Sequence, residues 1–176
     1  LIGGFVGGDA VAVALSLGLH EEKEAALAID IGTNSEIMLA SGGELYATSA
    51  AAGPAFECGE ISAGMVAGAG AIECVHIDND SVRIKVIGGI APRGICGSGL
   101  IDAVASLVRA GVIDASGRIK GRDEVDSGLS NRVTAGEDGN RFVLYRGAKG
   151  EVALTQQDIR AVQTAKASTR AGIEML

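Results

Sequence analysis

The chain has 176 residues, of which 47% are hydrophobic and 21% charged, and its formal net charge is −7. That apolar content argues against disorder, and the length suffices for one domain with a sizeable core. The acidic balance argues against a nucleic-acid partner, and no apolar run reaches the roughly 20 residues of a membrane-spanning helix.

Residues 1–5 (Leu1-Ile2-Gly3-Gly4-Phe5) lack an initiator Met, a basic leader and a cleavage site, so the chain is expected to start inside a longer, cytoplasmic protein. Residues 9–19 read as a buried helix capped by Asp9, with Gly18 near its end. After the charged link from His20 to Glu24, the run Ala26-Leu27-Ala28-Ile29-Asp30-Ile31 suits a buried strand that ends in an acid. Gly32-Thr33-Asn34-Ser35 then turns the chain into a second strand over 36–40. Ser41-Gly42-Gly43 is a hairpin signal, and residues 44–49 return as a third strand. Residues 50–74 are small and Gly-rich, expected as a loop followed by a short helix or turn, and residues 82–87 alternate as a strand.

Gly94-Ile95-Cys96-Gly97-Ser98-Gly99 opens a helix whose apolar face is Leu100, Ile101, Val104, Leu107 and Val108, with Gly111 ending it. Residues 114–150 look like surface, with one strand over 141–145. The carboxylates Asp78, Asp80, Asp123, Glu124 and Asp126 fall in turn-like polar runs and read as solvated. Thr155-Gln156-Gln157-Asp158 is a capping box for a last helix, flanked by Leu154 and Ile159 as a hydrophobic staple. Its stripe of Ile159, Val162, Ile173 and Leu176 runs to the final residue without a stop signal.

Three cysteines, Cys58, Cys74 and Cys96, are too scattered for a metal knuckle, a disulfide framework or an iron–sulfur site, and are expected as reduced thiols. Glycine, at 27 residues, is about twice the usual ~7%. Such enrichment points to tight turns and close backbone approach, as around phosphates.

The segment that speaks most directly to chemistry is Ile29-Asp30-Ile31-Gly32-Thr33-Asn34-Ser35-Glu36. A strand delivers a carboxylate, and a tight turn then exposes backbone N–H groups able to hold phosphate oxygens. Thr33 adds a hydroxyl, and Asp30 suits Mg²⁺ or its waters, since hard cations take oxygen ligands. The same residues also make an ordinary hairpin in which Asp30 bonds its own turn; physics alone leaves both readings open. Gly97-Ser98-Gly99 is a second anion candidate, because a helix N-terminus presents free N–H groups and a positive dipole. The alternative is that Ser98 caps the helix while the glycines permit close packing. Cys96 has no partner base in view, the only histidines being His20 and His76, and reads as a buried, inert thiol.

The Asp-x-Gly-Thr hairpin resembles a phosphate loop of the superfamily of acetate and sugar kinases, heat-shock chaperones and actin. Its company, in order, is Val6-Gly7-Gly8-Asp9, then Ala51-Ala52-Gly53-Pro54-Ala55-Phe56-Glu57 and Gly70-Ala71-Ile72-Glu73. Gly94 to Asp102, Leu154 to Arg160 and Ala165-Lys166 complete the series. Together these resemble the C-terminal domain of the reductive activators of corrinoid proteins, over nearly the whole chain except residues 114–150. The resemblance implies an α/β, actin-like (ribonuclease-H-like) fold, present as a single partial domain over 1–176: a strand meander with an inserted helical subdomain. It also implies ATP with Mg²⁺ as cofactor, and hydrolysis coupled to reduction of Co(II) to Co(I) in a corrinoid protein partner. A homodimer is an allowed assembly. The [2Fe–2S] cluster of the family would sit in a ferredoxin-like domain outside this chain.

By that resemblance Asp30 is the catalytic and metal-facing residue. Gly32, Thr33, Asn34, Ser35, Gly97, Ser98 and Gly99 would line the phosphates, and Lys166 would approach the nucleoside. Only one jaw of the nucleotide cleft would then be present, so the chain by itself is expected to be inactive. Glu57 reads either as a contact to a metal-bound water or the partner, or as a loop residue with a structural hydrogen bond. Two alternatives to an activator are a small-molecule kinase of the same superfamily, which would need an acceptor pocket and a catalytic acid, and a non-enzymatic docking module set by nucleotide.

Overall fold

The computed structural model describes residues 6–78, 80–126, 128–148 and 150–176; residues 1–5 lie outside the described residues. The chain divides into two units, one of residues 1–53 with 164–176 and the other of residues 54–163.

The first unit is built on an antiparallel meander. Strands β1 (Ala26–Asp30), β2 (Asn34–Ser41) and β3 (Glu44–Ala51) pair in the order β1-β2-β3. The β2–β3 turn is the two residues Gly42 and Gly43, at φ 61° and 84°. A two-residue turn that matches strand twist needs positive φ at both positions, which glycine supplies without strain. Both faces of the central strand β2 are covered. Met38 and Ala40 join Ala28 of β1 in a core with Ala10, Ala14 and Leu19. Ser35 and Ile37 point the other way and are fully buried. On that side lies the helix α3 (Gln156–Met175). Its Gly172 comes so near that an added methyl would stand 2.5 Å from Ile37 Cδ1. Tyr46 of β3, opposite Leu39, is exposed.

Three expectations change here. Helix α1 covers Gly8–Ser16 with Gly7 at its N-cap. Asp9 therefore lies inside the first turn, where its carboxylate accepts the Ala10 N–H at 2.9 Å. The helix buries only its alanine side, leaving Leu15 and Leu17 exposed. Strand β1 is half-open rather than buried, with Leu27 47% and Ile29 37% exposed, because it is an outer strand of the three. Asn34 and Ser35 belong to β2, not to the turn.

Among its described residues the second unit carries six strands as well as helix. Strand β4 (Ala71–Asp78) pairs antiparallel with β5 (Ser81–Val86) and parallel with the two-residue β6 (Gly94–Ile95). Helix α2 (Gly97–Arg109) follows β6 directly. It ends in a Schellman motif: the Gly111 N–H donates to the Val108 carbonyl and the Val112 N–H to the Leu107 carbonyl, at 3.1 and 3.0 Å. Gly111 supplies the left-handed residue, φ 70°. Its buried face is Leu100, Ala103, Ser106 and Leu107. Ile101 and Val108, expected in the stripe, are exposed. Burying Leu100 and Leu107 contributes about 1.5–3 kcal/mol each.

Residues 114–150 are not plain surface. They hold β7 (Val133–Gly136) and β8 (Gly139–Gly147), which form a second antiparallel sheet with β9 (Gly150–Leu154). Ile119, Leu129, Val133, Phe142, Val143 and Leu144 are buried there. Tyr145 follows on β8.

Candidate functional site

In the first unit the turn between β1 and β2 is pinned at its far end. The Thr33 carbonyl accepts two N–H groups beyond β3, from Ala52 and Gly53, both at 2.9 Å. Asp30 is half-buried at the end of β1, Gly32 is half-buried, and Thr33 and Asn34 are exposed. Asp30 and Glu36 stand directly opposite in the β1–β2 register, and Glu36 stands opposite Ser49 in the β2–β3 register. The Ser49 hydroxyl donates to Glu36 Oε1 at 3.2 Å. Side chains alternate along β2, so Asn34 and Glu36 share one face with Asp30 while Ser35 takes the other. Asn34, Glu36 and Ser49 line an open cleft of ≈ 570 Å³ with Gly7 and Asp9 at the start of α1. Ser35 turns inward, its Oγ 3.1 Å from Thr169 Oγ1 of α3. Lys166, also on α3, is exposed. Alternation of this kind is visible in sequence, but the Glu36–Ser49 pair depends on register, which sequence spacing missed.

These donors fit a magnesium nucleotide. Mg²⁺ takes one or two protein carboxylates and completes its shell with waters and phosphate oxygens. Asp30 with Glu36 opposite meets that demand beside an exposed turn.

In the second unit the Gly97-Ser98-Gly99 start of α2 is occupied by packing. A methyl on Gly97 would collide with the Phe56 carbonyl oxygen, and one on Gly99 with the Ile72 carbonyl oxygen. Ser98 does not cap the helix, whose N-cap is Cys96. Its hydroxyl donates instead to the Glu73 carbonyl at 2.9 Å. One and two turns on, Asp102 accepts the Val75 N–H at 3.4 Å and Ser106 donates to the Val75 carbonyl at 3.1 Å. Residues at i, i+4 and i+8 lie on one helix face, and here that face stitches α2 to β4 where its pairing slips between Ile72 and Cys74.

Gly53-Pro54-Ala55-Phe56-Glu57 now has a physical role at Phe56, whose backbone presses on Gly97. The turn continues to Cys58, which sits at φ 64°, a left-handed conformation that costs a non-glycine residue about 1–2 kcal/mol. Glu57 is exposed and has an interaction partner.

Thr155-Gln156-Gln157-Asp158 is likewise spent on the fold. Thr155 N–H donates to Asp158 Oδ2 at 2.8 Å and Asp158 N–H to Thr155 Oγ1 at 3.2 Å, a reciprocal capping box. Leu154 and Ile159 are both buried. Asp158, 1% exposed, also accepts the Ser62 N–H at 2.8 Å and the Ser62 hydroxyl at 2.7 Å. Gln156 accepts the Ile119 N–H and donates to the Gly117 carbonyl, both at 2.8 Å, and Arg160 donates to the Ser116 carbonyl at 2.8 Å.

The cysteines do not offer a cluster. Cys58 and Cys96 are buried and Cys74 is half-buried. Burial pushes the Cys58 thiol up, and a hydrogen bond with Asp102 raises that of Cys74. Among the described residues no three His, Cys, Asp or Glu side chains could hold a metal ion together. The residues present therefore do not fit an iron–sulfur cluster. Among those residues, too, no helix is long and apolar enough to cross a membrane.

Comparison with known proteins gives this arrangement a family. The model of the C-terminal domain of RACo, the ASKHA domain, matches residues 24–176. The chain is 41% identical over 182 aligned residues to the corrinoid activation enzyme RamQ of Eubacterium limosum, covering all of this chain and 30% of that protein. It is 34% identical over 131 residues to the Co(II) methylated amine-specific corrinoid protein reductase of Methanosarcina barkeri, covering 62% of this chain and 24% of the relative. A solved reductive activator for a corrinoid, iron–sulfur protein superposes with a TM-score of 0.85 at 43% identity, over 96% of this chain and 27% of its own. The chain thus spans under a third of the length of these relatives. Its α/β fold is that of the actin-like ATPases, and the chain belongs to the family of the RACo C-terminal ASKHA domain.

Proposed function

We propose that this chain is the nucleotide-binding part of an activator that couples ATP hydrolysis to reduction of Co(II) to Co(I) in a corrinoid protein. The observation that carries the reading is the turn after β1. A half-buried carboxylate, Asp30, ends the strand, the exposed Thr33 and Asn34 follow, and the Thr33 carbonyl anchors the turn to the segment after β3. The relatives' names, all corrinoid activators or a corrinoid protein reductase, supply the partner class.

Magnesium, when bound with ATP, neutralises phosphate charge. Asp30 holds that cation directly or through its waters. Backbone N–H groups of Gly32, Thr33 and Asn34 face phosphate oxygens, and the Thr33 hydroxyl adds a donor. Ser35 supports the turn from beneath, and Lys166 serves the nucleoside side. Gly97, Ser98 and Gly99 serve packing on Phe56, Ile72 and Glu73. The remainder of the cleft, and the source of the electron, belong to other parts of a protein of the relatives' length.

Substituting Asp30→Asn in such a protein is expected to lower ATP-dependent Co(I) formation, followed by visible absorbance with the corrinoid partner. The loss is about 10²-fold, the scale of a missing electrostatic contact to a transition state. Unchanged Co(I) formation would sink the role of Asp30.

A further inference from the structure

We propose that Thr169 is a positioning residue for nucleotide binding, fixing the phosphate-facing turn from the opposite side of the sheet. This rests on the β1–β2 turn being the phosphate-binding element.

Ser35 is the second residue of β2, immediately after the turn, and it is fully buried. Its Oγ lies 3.1 Å from Thr169 Oγ1, and Thr169 Oγ1 lies 3.0 Å from the Ala165 carbonyl oxygen one helical turn back. The single Thr169 proton cannot serve both acceptors at once, so the pair is satisfied when Ser35 contributes the second proton. Ala165, Thr169 and Gly172 follow one another at i, i+4 and i+7, one face of α3. At the end of that row Gly172 carries no Cβ, and a methyl there would press on Ile37 Cδ1 and Ala50 Cβ. The helix therefore sits close enough for a short hydroxyl side chain to reach the strand.

The turn is thus held at two points. Thr33 is fixed through its carbonyl to Ala52 and Gly53, and Ser35 through its hydroxyl to α3. Asn34 lies between them, exposed on the cleft side. A residue clamped on both sides presents its backbone at one height, and displacements of 1 Å at a reacting group are costly. Removing Thr169's hydroxyl frees one clamp and strands a buried serine.

The test is calorimetric titration of MgATP into a protein of the relatives' full length that carries this domain, with melting temperature measured alongside. Thr169→Val is expected to weaken binding about fivefold, the scale of one hydrogen bond, and Thr169→Ser to restore it. The double variant Ser35→Ala/Thr169→Val leaves no unpaired hydroxyl in the core. It is expected to recover the melting temperature but not the affinity. Wild-type affinity in Thr169→Val, or affinity that recovers together with melting temperature in the double variant, overturns the proposal. Asp30→Ala separates the two levels. Binding lost there but kept in Thr169→Val removes only the role of Thr169, whereas binding kept in both removes the phosphate-turn reading itself.

Discussion

The turn at Asp30 and the helix start at Gly97 are both short glycine-bearing segments that join a strand to the next element, yet they use their atoms differently. At the first, Thr33 and Asn34 stay exposed and Asp30 remains accessible beside an open cleft. At the second, both glycines lie under backbone carbonyl oxygens, and the serine between them is committed to Glu73. Asp102 and Ser106 extend the same commitment along α2. A motif can thus mark a family through packing as firmly as through chemistry. The distinction lies in whether its residues stay exposed or are packed inside the fold.

That contrast can be pushed from its packing side. The largest expected effect is at Asp158, whose buried carboxylate accepts from Ser62 twice and from Thr155. Asp158→Ala removes a helix cap and a loop tie together, and should cost about 3 kcal/mol in a denaturant titration. A change confined to activity, with stability intact, would move this motif into the chemical class. Next is Gly99→Ala, where the methyl meets the Ile72 carbonyl oxygen. Overpacking of this kind costs about 2 kcal/mol, and the expected readout is a lowered denaturation midpoint with nucleotide affinity retained in the folded fraction. Unchanged stability would break the comparison.

The smallest effect concerns the exposed clamp around Arg118, which pairs with Glu124 through two nitrogens at 2.7 and 2.8 Å and with Asp114 at 3.0 Å. The Ser116 hydroxyl and the Arg118 backbone N–H hold Asp114 down to about 2, and Arg118 holds Glu124 down to about 2. Both carboxyls bind protons less readily folded than unfolded. Their contribution is therefore present above the ordinary values of 3.8 and 4.5 and fades as pH falls towards about 2. The melting-temperature gap between wild type and Arg118→Ala should narrow over that window; a gap independent of pH would remove the clamp from the stability of this unit.

Local signals made part of the fold legible. Gly42-Gly43 between alternating runs announced the β2–β3 hairpin, and Thr155 to Asp158 announced the start of α3. Strand β4 escaped because Ala71-Ile72-Glu73-Cys74-Val75 shows no clean alternation. Strands β7 and β9 escaped because segments this short carry too little periodicity of their own and are defined by pairing with β8. The buried face of α2 rotates towards Ala103 and Ser106 because Ser98, Asp102 and Ser106 all bond to β4, a partner absent from helical periodicity. At the candidate site, Asp30 and its turn stood out by spacing. The inward hydroxyl of Ser35 could not, since its partner Thr169 is 134 residues away.

The placement of aromatic rings has a spectroscopic consequence. The chain contains no tryptophan and two tyrosines, Tyr46 on β3 in one unit and Tyr145 on β8 in the other. Tyrosine emission from this chain therefore comes from one ring per unit, and replacing either ring with phenylalanine leaves a tyrosine reporter belonging to a single unit. The meander that carries the phosphate-facing turn can in this way be watched without a label, on a background free of indole light.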